Sequence, residues 1–426
     1  MKKLLPLIVF ALVLGSCHKD DEDTPEDPVA ERTVLVYIAG ENNLCSFSKS
    51  DLKEMKIGSK SLSNRQKLIA YVDQADTIPP FFARIKDGQF VDSVSVEESI
   101  TADPAILEKA VRYMRTNYPA KSYGLVLWGH ASGWLIHKDS IQYAASRAYG
   151  GDTGDNSPYT SSAGKYWMNI PSMAHAIAKG MSGTPLTFIF GDCCSFGCVE
   201  IAYELRQVAD YVIGSPAEIP DEGAPYDLIV PDLFNSSAEF YKAIIDDYYN
   251  YYLEIFKSQD HKYYNRHYGD LVGYSVPLMV VKSSEIGTLA TETAGLLEKI
   301  GEKLVPEGDF DLTDKVCYAQ YGNYFYSYDM YHILKGNTPA ADFNDWTTAF
   351  WKAVPYHRNS QHWFTGYNKS GELATFMDTF DGQEADCGVL SIFVPNNVYK
   401  NTNPYWNTTI QQFQWNNIIR WQQYGW

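Results

Sequence analysis

Apolar runs and amphipathic stretches alternate along the first half of this chain. Residues 33–39 (TVLVYIA) are continuously apolar or β-branched, the pattern of a strand buried on both faces of a parallel sheet. The pattern recurs at 67–73 (KLIAYVD), 123–128 (YGLVLW), 186–190 (LTFIF) and 211–214 (YVIG). Between these runs, residues 104–118 set Ile106, Leu107, Ala110, Val111 and Met114 at helical spacing behind Pro104, a residue suited to a first helical turn. Residues 168–179 and 198–208 behave likewise. Strands alternating with helices predict an α/β fold, a mostly parallel sheet flanked by helices, with any site at the carboxyl ends of the strands. After about residue 225 the pattern changes. Residues 240–255 and 284–304 read as longer helices, and strand candidates thin out to 276–282 and 388–395. We therefore expect an α/β domain over 32–225 and a helix-rich C-terminal subdomain over 226–426 that packs on it and returns one late strand to the sheet.

Composition narrows the class. With 10 Trp, 32 Tyr and 20 Phe, the chain carries too much apolar surface to stay disordered. Only the N-terminus has a long uncharged apolar run, which excludes a polytopic membrane protein. A net charge of −17 without a Lys/Arg cluster argues against a nucleic-acid partner. At the N-terminus, Lys2 and Lys3 precede an apolar stretch over 4–14, which is too short to span a bilayer. It ends in Leu14-Gly15-Ser16-Cys17, which resembles the lipobox of bacterial lipoproteins, where the cysteine is lipidated and becomes the mature N-terminus. Residues 1–17 are thus expected to be a signal peptide and Cys17 the lipidation site, making the membrane a partner. Residues 18–31 hold one lysine, seven acids and two prolines, and read as an extended linker. The run Lys19-Asp20-Asp21-Glu22-Asp23 resembles the export signal of some surface lipoproteins of Gram-negative bacteria. The expected location is the cell envelope, lipid-anchored in the outer membrane and displayed at the surface.

Chemistry concentrates at two strand ends. Residues 125–134 (LVLWGHASGW) run from a strand into a small-residue loop bearing His130, with Gly129 and Gly133 beside it. Residues 188–200 (FIFGDCCSFGCVE) end a second strand in Cys193 and Cys194, with Cys198 at the next helix. Three thiols within six residues suit neither a disulfide framework nor a zinc ribbon, so a reactive thiol is the expected reason for the crowding. A thiol between a strand end and a helix start meets the positive end of the helix dipole, and a neighbouring imidazole can take its proton. Seven further histidines, His137, His175, His261, His267, His332, His357 and His362, lack metal-ligand spacing.

Together these segments resemble the clostripain family of cysteine peptidases, within the caspase-like group. Trp128-Gly129-His130-Ala131-Ser132-Gly133-Trp134 matches the family's histidine loop except for Ala131, where the family usually has glycine. Asp192-Cys193-Cys194, followed by Glu200, matches its Asp-x-Cys strand end. Residues 36–44, 212–218 and 223–226 agree with flanking segments, and 328–331 and 388–395 agree more weakly. The resemblance spans roughly residues 33–400 and implies a caspase-like sheet and a cysteine endopeptidase acting on polypeptides. By register it makes Cys194 the nucleophile, His130 the general base and acid, and the backbone N–H groups of Gly129 and Cys194 the oxyanion donors. Cys193 occupies the variable slot and is expected to be packed, as is Cys198. It also implies cleavage after Arg or Lys, with Asp192 in the pocket and Glu218 and Asp221 of the following acidic loop as further counter-charges.

Two family traits extend the reading. Self-cleavage between the two motifs would fall in 138–166, which contains Arg147 and Lys165. Calcium dependence occurs in some relatives, but residues 150–157 lack EF-hand spacing. We therefore expect no metal and no cofactor, and the sequence says nothing of oligomeric state. A different class remains open: a non-catalytic surface lipoprotein binding polypeptide or glycan through its aromatic-rich C-terminal half. A glycan hydrolase is a third option, without a carboxylate pair as well placed as the Cys and His motifs.

Overall fold

The computed structural model describes residues 29–136, 148–154, 162–258, 276–321, 324–360, 363–367, 373–375, 387–401 and 405–426. The lipobox, most of the acidic linker and Arg147 lie outside these residues. The apolar runs do form strands: β1 (Ala30–Gly40), β2 (Gln66–Gln74), a hairpin of β3 (Phe81–Lys86) and β4 (Gln89–Ser95), and β5 (Ala120–Trp128). A small antiparallel sheet follows, of β6 (His130–Ala131), β7 (Tyr149–Asp152) and β8 (Tyr166–Met168). Next come β9 (Leu186–Asp192), β10 (Ala209–Gly214) and β11 (Leu278–Lys282).

Among the described residues the central sheet has nine strands, running Tyr356–Arg358, β11, β10, β9, β5, β1, β2, β3, β4. The five from β10 to β2 are parallel, with antiparallel strands at both edges. This is the predicted α/β sheet.

Continuous apolar runs were needed because both faces are covered. Along β1, Val34, Val36 and Ile38 pack in one cluster and Leu35, Tyr37 and Ala39 in the other. The first cluster includes residues of α1 (Cys45–Gly58), α5 (Tyr226–Ile229) and α6 (Tyr241–Ser258); the second includes residues of α2 (Pro104–Asn117), α3 (Ile170–Gly180) and α4 (Val199–Leu205). Asp103 caps α2 by accepting from the Ala105 N–H at 2.8 Å, with Pro104 at the first helical position. A Cβ at Gly58 would lie 2.6 Å from the Tyr226 carbonyl, so glycine there lets α1 sit directly on α5.

The second half departs from expectation. It supplies β11, inside the strand candidate 276–282, and Tyr356–Arg358 as edge strands of the main sheet. The strand expected over 388–395 shrinks to Ser391–Ile392, which pairs with Tyr324–Asp329 in a separate small sheet. The reason is local. Val389 has φ +53°, the Gly388 and Val389 N–H groups bond the Asp329 carboxylate, and the Phe393 N–H bonds Glu200 at 2.9 Å. Donors held by side chains cannot extend a ladder.

Candidate active site

Strand register brings the two motifs together. Trp128 at the end of β5 pairs with Asp192 at the end of β9. Two residues beyond each pair member stand His130 and Cys194. The sheet order reverses between β1 and β5, because β1 connects to β2 on one side while β5 lies on the other. Such a reversal opens a crevice at the carboxyl ends of the strands. The two loops touch: a Cβ on Gly133, at φ +67°, would lie 3.2 Å from the Ser195 carbonyl oxygen.

His130 is half-buried. Its Nε2 lies 2.7 Å from Asn43 Oδ1, on the loop that leaves β1. An amide oxygen only accepts, so this contact places the proton of the neutral ring on Nε2. The loop itself is fastened by buried Asn42, whose Nδ2 donates to the Ala39 and Gly151 carbonyls at 2.9 and 2.7 Å.

Cys194 is partly exposed, whereas Cys193 and Cys198 are each 1% exposed and belong to the core. Residues 188, 190 and 192 face α6, so Cys193 turns the other way. Burial pushes the Cys194 thiol up, and the carboxylates of Glu218 and then Asp221 push it further; the Ile219 N–H, 3.5 Å from Sγ, acts against them. The acidic loop therefore lies against the thiol. None of the six described cysteines is in a disulfide.

Asp192 is nearly buried. Its carboxylate accepts from the Tyr226 hydroxyl at 2.7 Å, the Tyr248 hydroxyl at 3.3 Å and the Ala224 N–H at 3.1 Å. Burial pushes it up to about 6, against those three donors. Beneath it lies an acid to which the sequence reading gave no role. Asp51 of α1 accepts from Trp128 Nε1 at 2.6 Å, and burial followed by Asp192 pushes it up to about 9. A Cβ on Gly223 would lie 2.9 Å from one Asp192 oxygen and 3.4 Å from an Asp51 oxygen, so the following loop closes over both acids. Asp51 could have been found from sequence as the acid on the face of α1 that also buries Ser48, Leu52 and Met55.

Other expected residues take lesser places. The Gly129 N–H points to the Asp192 carbonyl at 3.4 Å, extending the ladder between β5 and β9. That bond would have to be given up for Gly129 to hold an oxyanion. Glu200 is fully buried and holds the Phe393 N–H, a structural tie. Of the expected self-cleavage region, 138–147 and 155–161 lie outside the described residues; Lys165 donates its N–H to the Asp152 carbonyl at 2.6 Å. In the aromatic-rich half, Trp346, Trp363, Trp406, Trp415 and Trp421 are each 1% exposed or less, and build core rather than a binding surface. Among the described residues, no helix is long and apolar enough to cross a membrane.

A parallel sheet in this order, with histidine and cysteine loops beside its switch point, is the architecture of a caspase-like cysteine peptidase. The chain belongs to the clostripain family, whose model matches residues 36–426. It is 26% identical over 225 residues to clostripain of Hathewaya histolytica, a match covering 46% of this chain and 41% of clostripain's own length. It is also similar to a secreted C11 cysteine protease of Bacteroides thetaiotaomicron solved with an irreversible peptide inhibitor, at 27% identity and TM-score 0.73, covering 92% of this chain and all of that one. An inactive zymogen C11 protease of Parabacteroides distasonis is similar at 25% identity and TM-score 0.68, covering 92% and 98%.

Proposed function

We propose that this protein is a cysteine endopeptidase that cleaves polypeptides after Arg or Lys, with Cys194 as nucleophile and His130 as general base and acid. The observation that carries it is the equal offset of these two residues beyond the paired ends of β5 and β9. Cys194 Sγ gives its proton to His130 Nδ1 and attacks the scissile carbonyl carbon. The oxyanion is held by the Cys194 N–H, with Gly129 N–H as a second donor once it leaves the Asp192 carbonyl. The tetrahedral intermediate collapses to a thioester as the imidazolium protonates the leaving amine. Water, deprotonated by His130, then hydrolyses the thioester and regenerates the thiol.

Asp192, Glu218 and Asp221 supply counter-charge for the basic side chain. After burial, the larger cause, these acids also push the thiol up. A guanidinium or ammonium arriving among them cancels that effect, so the correct substrate itself favours the thiolate. The chain is read as tethered through Cys17 to the outer membrane, with residues 18–31 as spacer; a Cys17→Ala chain released from the membrane fraction would support the anchor.

The test compares wild-type and Cys194→Ala protein on fluorogenic peptides ending in Arg, Lys or Leu. Arg and Lys turnover in the wild type alone is expected, measured before and after limited proteolysis of the 138–166 region. Equal, near-zero turnover in both states would sink the peptidase reading.

A further inference from the structure

The small sheet of β6, β7 and β8 does more for the site than carry His130. Its register pairs Ala131 with Tyr149 and Tyr149 with Met168, and all three side chains belong to the core beneath. The neighbouring row pairs His130 with Gly150 and Gly150 with Trp167. Side chains alternate along a strand, so this second row faces away from the core, toward the crevice. Directly opposed residues share a face, and the middle one here is glycine, at φ +101°, with no side chain to separate the imidazole from the indole. The two ring centroids are 6.3 Å apart, with the planes at 45°. The indole rests on β7: a Cβ on Gly151, at φ +69°, would lie 2.9 Å from Trp167 Cη2. The Gly151 carbonyl is held in turn by Asn42 Nδ2 at 2.7 Å. Trp167 is half-buried, so part of its ring stays open beside the histidine.

Strand order gives the crevice a direction. The loop bearing Glu218 and Asp221 follows β10, Cys194 follows β9 and His130 follows β5, and these three strands are neighbours in that order. The small sheet continues toward β1, where the Thr153 N–H bonds the Glu41 carbonyl at 3.0 Å and the Asn43 N–H bonds the Ser162 carbonyl at 2.9 Å. On the peptidase reading proposed above, on which this inference rests, a substrate puts its basic side chain among the acids and its scissile carbon at Cys194. His130 then protonates the leaving amine, so the residue that carries this amine lies on the imidazole's side, away from the acids. We infer that Trp167 is the wall of the pocket for that residue, the first on the leaving side of the cut, and selects an apolar side chain such as leucine or phenylalanine there. An indole offers a large, stiff apolar surface that loses little rotamer freedom when covered. A carboxylate in that place would be desolvated against the ring without a partner, and glycine would bury nothing on it. The wall acts on acylation alone, because the leaving residue has gone before the thioester is hydrolysed.

The test uses full-length wild-type, Trp167→Ala and Trp167→Phe protein, each with and without limited proteolysis. The substrates are internally quenched peptides that share Arg before the cut and carry Leu, Phe, Gly or Asp after it. An arginine ethyl ester, whose leaving group has no side chain, is the control. Wild type is expected to favour Leu and Phe over Gly and Asp by about 10-fold in kcat/KM, the scale on which apolar pockets discriminate. Trp167→Ala should lose about 10-fold on the Leu and Phe peptides but no more than about 2-fold on the Gly peptide and the ester, and Trp167→Phe should restore most of the preference. A wild-type series already flat would overturn the pocket and leave the peptidase reading standing. So would equal losses in Trp167→Ala on all four peptides and the ester, the mark of a purely structural role. Absence of Cys194-dependent turnover on every peptide and the ester would overturn the peptidase reading, and the pocket with it.

Discussion

Asn43 tests how His130 is held. Asn43→Ala removes the 2.7 Å contact to Nε2 and touches no other part of the proposed chemistry. In the ground state this is a neutral hydrogen bond, with a net value of about 1 kcal/mol. As the thiol proton moves to Nδ1 the ring becomes an imidazolium, and the same bond becomes charge-assisted, at about 1.5–3 kcal/mol. Only the difference, about 0.5–2 kcal/mol, slows chemistry, which corresponds to a fall in kcat of about 2- to 30-fold. Asn43 is exposed, so water can replace its amide, which places the expected loss at the lower end, about 2- to 10-fold. KM should stay unchanged, because the contact removed is one to His130. Asn43→Asp keeps an acceptor at the same place and should recover most of kcat. Steady-state kinetics on an Arg-ending fluorogenic peptide, with melting curves as a fold control, reads all three. An unchanged kcat in Asn43→Ala, or a loss confined to KM, would refute this account of the histidine.

Neighbouring thiols should separate cleanly. Cys194→Ala abolishes turnover with little change in Tm, whereas Cys193→Ala leaves turnover and lowers stability by about 1–2 kcal/mol, because it opens a small cavity in a closed core. Replacing Glu218 and Asp221 by their amides should speed alkylation of Cys194 by iodoacetamide at neutral pH, since both acids hold the thiol up, while kcat/KM on Arg peptides falls. Asp192 is pushed above its ordinary range to about 6, so kcat/KM on Arg peptides should fall as pH drops through 6 and the carboxylate gains a proton. Asp192→Asn should lose that limb. The same shift has the opposite sense for stability: its contribution is full below about 4 and is lost as pH rises through about 6, which pH-dependent melting of wild type and Asp192→Asn can compare. Gly133→Val forces a β-branched residue to φ +67° against the Ser195 carbonyl; a loss of roughly 1–3 kcal/mol and a reduced kcat are expected, and an unchanged Tm would refute the contact.

Much of the sheet was legible because strands buried on both faces leave an unmistakable trace. Residues 33–39, 67–73, 123–128 and 186–190 have almost no polar residue to spare, and each became a parallel strand. The late strand over 388–395 misled for a physical reason: its apolar residues do go to the core, but its backbone donors belong to Asp329 and Glu200. Periodicity reports where side chains go and is silent on which acceptor a main-chain N–H finds. The helix α1 went unread because Asp51 and Ser48 interrupt its apolar face.

By itself the sequence determined the fold class, the covering of both sheet faces and the two strand-end loops that carry His130, Cys194 and Asp192, because all of these depend on short-range order along the chain. Only the tertiary structure decided what stands around them. Strand order set β1 next to β5 and so brought Asn43 to His130. Helix packing put Asp51 beneath Asp192, and the pairing of β6, β7 and β8 set Trp167 across Gly150 from His130. Charges this far apart in sequence interact only once burial has removed the water between them, and burial is a property of the folded whole.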